Sequence, residues 1–265
     1  MSDTQNKANR EDGSPAKSSS ASETREFLTF LAKLAVFVFI LRSFIIAPFN
    51  IPSESMLPRL LVGDYLVVSK WPYGYSRNSL PFSLPLIPDR LFASAPVPGD
   101  VAVFKAPPEA RVDYIKRVIG LPNDRIQMIN GILHINDVAV KKVPVGKDQV
   151  GVGAGLTDEA TYFQETLPNG VTYTIQELEK FGNKLGRNTD VYVVPPGHFF
   201  MMGDNRDNSL DSRDMSSQGV GYVPYENFVG RAEIIFFSIN SDGAAWKIWE
   251  WPTSVRWSRI FSSIN

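Results

Sequence analysis

The 265-residue chain contains no cysteine. Disulfides, thiol nucleophiles and cysteine-ligated metals are thereby excluded, and redox chemistry says nothing of its compartment. It has only two histidines, His134 and His198, too few without cysteine to build a structural zinc site. Charge of one sign is also lacking, with 27 basic against 28 acidic residues and a net charge of −1. No basic arm, zinc-knuckle spacing or RNA-binding signature appears, so nucleic acid is not an expected partner, and neither a metal nor a cofactor is called for. What is present is a hydrophobic share of 43% and enough length for one large domain or two small ones.

Residues 1–24 are polar, rich in Ser, Ala, Asn and Lys, and are expected to form a disordered tail. Phe27 to Ala47 then runs almost wholly apolar, its only charges being Lys33 and Arg42. About 20 residues at 1.5 Å each match a ~30 Å hydrocarbon core. The apolar positions encircle the helix and leave no broad polar face, which an interfacial helix would need. The two charged side chains are long enough to snorkel toward the headgroups. Residues 25–48 are therefore read as one transmembrane helix, with a lipid bilayer as partner. Lys17 and Arg25 flank its start and only Arg59 follows closely, which puts the N-terminus in the cytoplasm and everything after residue 48 outside. No small-residue cleavage site follows the apolar stretch, which argues against a removable signal peptide.

Beyond it the pattern turns to strands: Tyr65–Ser69, Val101–Phe104, Tyr114–Gly120, Arg125–Ile135, His198–Met202 and Arg231–Ile239. Asn130-Gly131 between apolar flanks is a hairpin signal. Ser76–Pro98, rich in Pro and Ser, reads as a long loop. The expected fold is mostly β: an antiparallel β-sheet domain from 49–140 and 196–265, with a smaller β-rich subdomain inserted at 141–195. The tail carries Trp246, Trp249, Trp251 and Trp257 among basic residues, a composition that suits either a membrane interface or packing on the β domain.

Chemistry concentrates in three stretches. In Phe49–Val68, Pro52 and Pro58 bracket Ser53 and Ser55, and Gly63-Asp64 turns the chain into a strand. Taken alone, such serines are more often turn or helix-capping residues. Downstream come Asp113–Pro122 and Met202–Arg213, the latter reading MGDNRDNSLDSR. The Asp-rich run has oxygen ligands at Asp204, Asp207 and Asp211 but lacks the spacing and terminal Glu of a calcium loop.

Together, and in this order, the three stretches resemble the type I signal peptidases, membrane-bound serine proteases with a Ser/Lys dyad. The resemblance spans about Ala47 to Gly230. It implies Ser55 as nucleophile, Lys116 as general base, and an oxyanion hole from the Ser53 hydroxyl and the Ser55 N–H. It also implies that Ser209 orients the lysine amine and that an Asp211–Arg213 salt bridge holds its loop. Gly203 to Arg206 would be scaffold, a turn with backbone bonds to the Asp204 carboxylate. The substrates would be exported preproteins, cut after a small-x-small sequence and bound as an added strand by Phe49, Ile51, Met56, Asp113 and Ile115. Glu54, Arg59 and Asn123 depart from the family pattern. The location implied is the bacterial inner membrane, single-pass, with the catalytic domain on the periplasmic side. Other readings are a non-catalytic exported β domain that binds partner chains at a sheet edge, a self-cleaving repressor-like peptidase, disfavoured by the apolar anchor, and a triad built on His134 or His198. The oligomeric state is not legible.

Overall fold

The computed structural model describes residues 19–80, 83, 87–107, 110–153, 155–240, 249 and 251–264. The tail expected at residues 1–24 lies outside these as far as residue 18, as does Trp246. The chain divides into two units, Met1–Leu41 and Arg42–Asn265.

In the first unit, α1 runs Ser19–Ile40; a π turn, Leu41–Ile45, carries the chain into the second. The 24 residues Ser22–Ile45 are long and apolar enough to cross a membrane, about 36 Å at 1.5 Å per residue. Phe30, Val36, Phe37 and Phe39 are exposed, an arrangement that water penalises and lipid does not.

Strands dominate the second unit: β1 (Ile46–Asn50), β2 (Asp64–Ser69), β3 (Val101–Lys105), β4 (Asp113–Gly120), β5 (Arg125–Ile129), β6 (Ile132–Ile135), β7 (Val138–Ala139), β8 (Lys141–Gly151), β9 (Thr157–Thr166), β10 (Thr172–Leu178), β11 (Tyr192–Val193), β12 (His198–Met202), β13 (Val223–Pro224) and β14 (Phe228–Ser238). Seven form a sheet in the order β1-β2-β14-β3-β4-β12-β13, three a meander β10-β9-β8, and four a sheet β11-β5-β6-β7. The helix stops earlier than the sequence suggests. Ile46 and Ala47 pair with Ser69 and Val68, so the sheet's hydrogen bonds claim residues whose apolar character reads as span. Pro48 is tolerated because β1 is an edge strand.

Alternation explains the packing. Leu66 and Val68 of β2 and Ala232 and Ile235 of β14 enclose one core with Met56 and Leu60. Ile126, Met128, Leu133 and Ile135 close a second with Ile175 and Phe200. The β5–β6 turn has φ of +50° at Asn130 and +75° at Gly131, the two positive angles a type I′ turn requires. The Ser76–Pro98 stretch contains a 3₁₀ turn, Arg77–Ser79. It is pinned by Arg90, which donates to the carbonyls of Tyr225 (2.7 Å) and Phe228 (2.9 Å). The tail is fastened too. Arg259 donates to the buried Asp64 carboxylate (2.5 Å), Ile264 enters the first core, and the Trp251 ring lies 5.1 Å from that of Phe237. Trp249 and Trp257 stay exposed.

Candidate active site

Two apolar anchors fix the turn after β1: Met56 and Leu60 are fully buried, and Leu60 N–H donates to Met56 O at 2.9 Å. Gly63, at φ +87°, closes it where an added Cβ would sit 2.1 Å from Ile239 O. No other residue fits there. Held this way, Ser55 is nearly buried and its Oγ lies 2.6 Å from Lys116 Nζ. Lys116 comes from β4, which faces it toward the turn. Its Nζ also donates to Ile115 O (3.0 Å) and sits 5.4 Å from the Tyr114 ring centre.

Burial lowers the Lys116 amine from its ordinary 10.5 to about 8, against the opposing pull of Asp211 and Asp204 and with a smaller push from Arg213. Desolvation disfavours the charged form, and among the described residues no carboxylate forms an ion pair with the amine to restore it. Ser53 Oγ is 3.4 Å from Ser55 Oγ. Ser209 lies beside the Ser55 turn but without the expected bond: its Oγ is buried with no hydrogen-bond partner among the described residues, and the Ile115 carbonyl serves the amine. Gly203 makes room for this packing, since a Cβ there would meet Ser209 Oγ at 2.2 Å and Ser55 O at 2.5 Å.

Asp211 and Arg213 form a bidentate pair, 2.9 and 2.8 Å. Burial would raise the Asp211 carboxyl, but the guanidinium and the Gly203 N–H hold it below its usual range. Asp204 corrects the expectation of backbone bonds to its carboxylate. It binds the Arg117 guanidinium in bidentate fashion at 2.8 and 2.7 Å, with both side chains buried. Arg117 also stacks 4.1 Å from the Tyr173 ring centre. Arg206 pairs with buried Glu165 of β9, and Asp207 with Lys184 and Arg187. The calcium-loop reading fails on this arrangement: each of the three aspartates already faces its own cation. No metal-binding cluster occurs among the described residues. The 141–195 segment is tied to the loop, Gln176 N–H donating to Asp204 O and Arg206 N–H to Gln176 O, both 2.9 Å.

A cavity of 380 Å³ opens at the Ser55 turn, lined by Phe49–Ser55, Val103, Val112–Lys116, Asn208 and Leu210. β1 and β4 stand four places apart in the sheet yet share this cavity, so the sheet is curled. Of the residues that the resemblance assigns to substrate, Phe49, Ile51, Asp113 and Ile115 line this cavity; Met56 does not, because its side chain is packed into the core. Asn208 and Leu210 line it and had no sequence signal beyond their neighbours. β12 pairs with β4 only from Arg117 onward, leaving the 113–116 edge open. The rings of His134 and His198 bond nearby carbonyls, of Ile132 and Pro196, and neither histidine is among the described residues that line the cavity. The departures have local accounts. Glu54 accepts from Asn208 Nδ2 (3.1 Å), Arg59 donates to Ile264 O (2.9 Å), and Asn123 adopts φ +74°, which Asn tolerates.

The family described as signal peptidase, peptidase S26, matches residues 24–237, which makes the chain a peptidase. A signal peptidase I of Rickettsia typhi is 40% identical over 257 residues, 91% of this chain and 93% of that one. One of Rickettsia conorii is 41% identical, covering 85% and 87%. A crystal structure of a signal peptidase I from Enterococcus faecalis shares 23% identity at a TM-score of 0.29, over 52% of this chain and 97% of that one. The chain belongs to the signal peptidase family, peptidase S26. Membership in an enzyme family sets aside the non-catalytic sheet-edge reading.

Proposed function

We propose that this enzyme removes N-terminal signal peptides from exported preproteins with Ser55 as nucleophile and neutral Lys116 as general base. One observation carries the reading: Lys116 Nζ lies 2.6 Å from Ser55 Oγ in a buried setting, within the distance for direct proton transfer. As Oγ attacks the scissile carbonyl carbon, its proton passes to Nζ. The ammonium then returns that proton to the departing amine as the C–N bond breaks, leaving an acyl ester on Ser55. A water molecule, deprotonated by the same amine, hydrolyses the ester. The Ser55 N–H, which has no hydrogen-bond acceptor among the described residues, and the Ser53 hydroxyl are the proposed donors to the oxyanion.

The substrate is proposed to lie as an extended strand between β1 and the open edge of β4, its alternate side chains directed at Phe49, Ile51 and Ile115 and its backbone at Asp113. The confined apolar cavity favours small residues, hence cleavage after small-x-small. Asp211 and Arg213 are proposed to hold the loop that packs Ser209 beside the Ser55 turn. The Ser22–Ile45 helix would anchor the chain in the bacterial inner membrane, with the N-terminus cytoplasmic by the positive-inside rule. Purified enzyme in detergent is expected to cut a model preprotein once, at the signal junction. Undiminished cutting by Lys116→Ala would remove the dyad.

A further inference from the structure

A second cavity, of 170 Å³, shares Phe49 and Asp113 with the first. Arg42, Lys70 and Lys105 bring three cations to it, with Asn78 and Ser79 beside them. Among its described lining residues Asp113 is the sole acid, 3.0 Å from Lys105. Two positive charges therefore go unanswered. Lys70 is buried, its Nζ donating to the carbonyls of Arg42 (2.6 Å), Ser43 (3.4 Å) and Ser79, so it acts on the cavity through its charge. Carbonyls solvate an ammonium but do not neutralise it. The Arg42 guanidinium is exposed and has no ion-pair or hydrogen-bond partner among the described residues. Burial and the nearness of Arg42 push the Lys70 amine down to about 8, against the weaker pull of Asp113. Next to Arg42 in the chain, Ser43 Oγ is buried without a hydrogen-bond partner among the described residues.

We infer that this cavity binds the phosphate group of an anionic lipid headgroup, held by Arg42, Lys70 and Lys105 at the margin of the active cleft. A guanidinium fork matches phosphate oxygens, and lysines add point charge. The lipid source follows from chain position and rests on the membrane-anchor reading above. Arg42 lies in the last turn of the Ser22–Ile45 span, within about 5 Å along the axis of its end, where headgroups are concentrated. Free phosphate shares the chemistry but not that local concentration. Because Asp113 borders both cavities, a phosphate drawing on Lys105 frees the Asp113 carboxylate toward the cleft.

The test uses the full chain in uncharged maltoside detergent, titrated with phosphatidylglycerol and read by native mass spectrometry. Wild type is expected to retain one lipid, Arg42→Gln to bind it about tenfold more weakly, and Arg42→Lys to fall between. Arg42 is exposed, so these variants fold; Lys70→Met, at a buried position, is a secondary check. Equal retention by Arg42→Gln and wild type would overturn the site. Inorganic phosphate binding as tightly as the lipid would overturn the lipid assignment. Ser55→Ala is expected to retain lipid like wild type, so a failure of the proposed peptidase chemistry leaves this measurement readable.

Discussion

At the scale of single residues, the account depends on an amine that costs free energy to keep charged. Unfolded, Lys116 titrates near its ordinary 10.5; folded, near 8. Between these values the unfolded chain binds the extra proton, so stability rises with pH across that window and the full penalty, about 3 kcal/mol, is felt below pH 8. Lys116→Met should accordingly raise the melting temperature at pH 7, with the gain shrinking toward pH 10.5, as thermal melts at a series of pH values would show. The same titration governs rate: kcat/KM should rise about tenfold per pH unit below 8 and level off above it. Ser55→Ala and Lys116→Ala should each lower preprotein cleavage by at least about 10³-fold without loss of fold.

At the scale of elements, the loop from Gly203 to Arg213 is positioned by buried ion pairs together with backbone bonds to Ser55, Gln176 and Met201. Arg117 belongs to β4, the strand that also carries Lys116, so its grip on Asp204 sets the loop against the base. Removing one partner strands a buried charge: Asp204→Ala should cost about 3–5 kcal/mol, read by urea denaturation. Asp204→Ala combined with Arg117→Met should recover part of that loss. How legible these features were depends on separation in sequence. The Asn130-Gly131 hairpin and β3, β4 and β12 follow from short-range pattern, and Ser55 and Lys116 from three recognisable stretches. The Arg117–Asp204 and Arg206–Glu165 pairs join residues 87 and 41 positions apart. Nothing in periodicity couples such partners, so the sequence led to Asp204 as a turn residue. Ser209 shows a related gap: its neighbourhood was legible, but not that the Ile115 carbonyl would serve the amine in its place.

At the scale of the molecule, the proposed function gives the apolar helix and the β unit separate tasks: the helix would hold the enzyme at the bilayer and the β unit would cut. A chain beginning at residue 42 keeps β1 and the carbonyls that Lys70 grips. It should cleave a short soluble peptide within a few-fold of the full chain, yet lose at least about tenfold on a membrane-inserted preprotein, where shared anchoring raises effective concentration. A bulky residue just before the cut should block either form, because the cleft is bounded by Phe49, Ile51 and Ile115. The boundary between the two units was only partly legible, since Ile46–Pro48 are as apolar as the span and only pairing with β2 makes them strand. The most direct measurement of the central claim is an NMR titration of Lys116, labelled at Cε and assigned by loss of its signal in Lys116→Arg, set beside the pH profile of kcat/KM. Both midpoints are expected together near pH 8. A Lys116 midpoint near that of free lysine, with the rate already at its plateau by pH 8, would contradict the account.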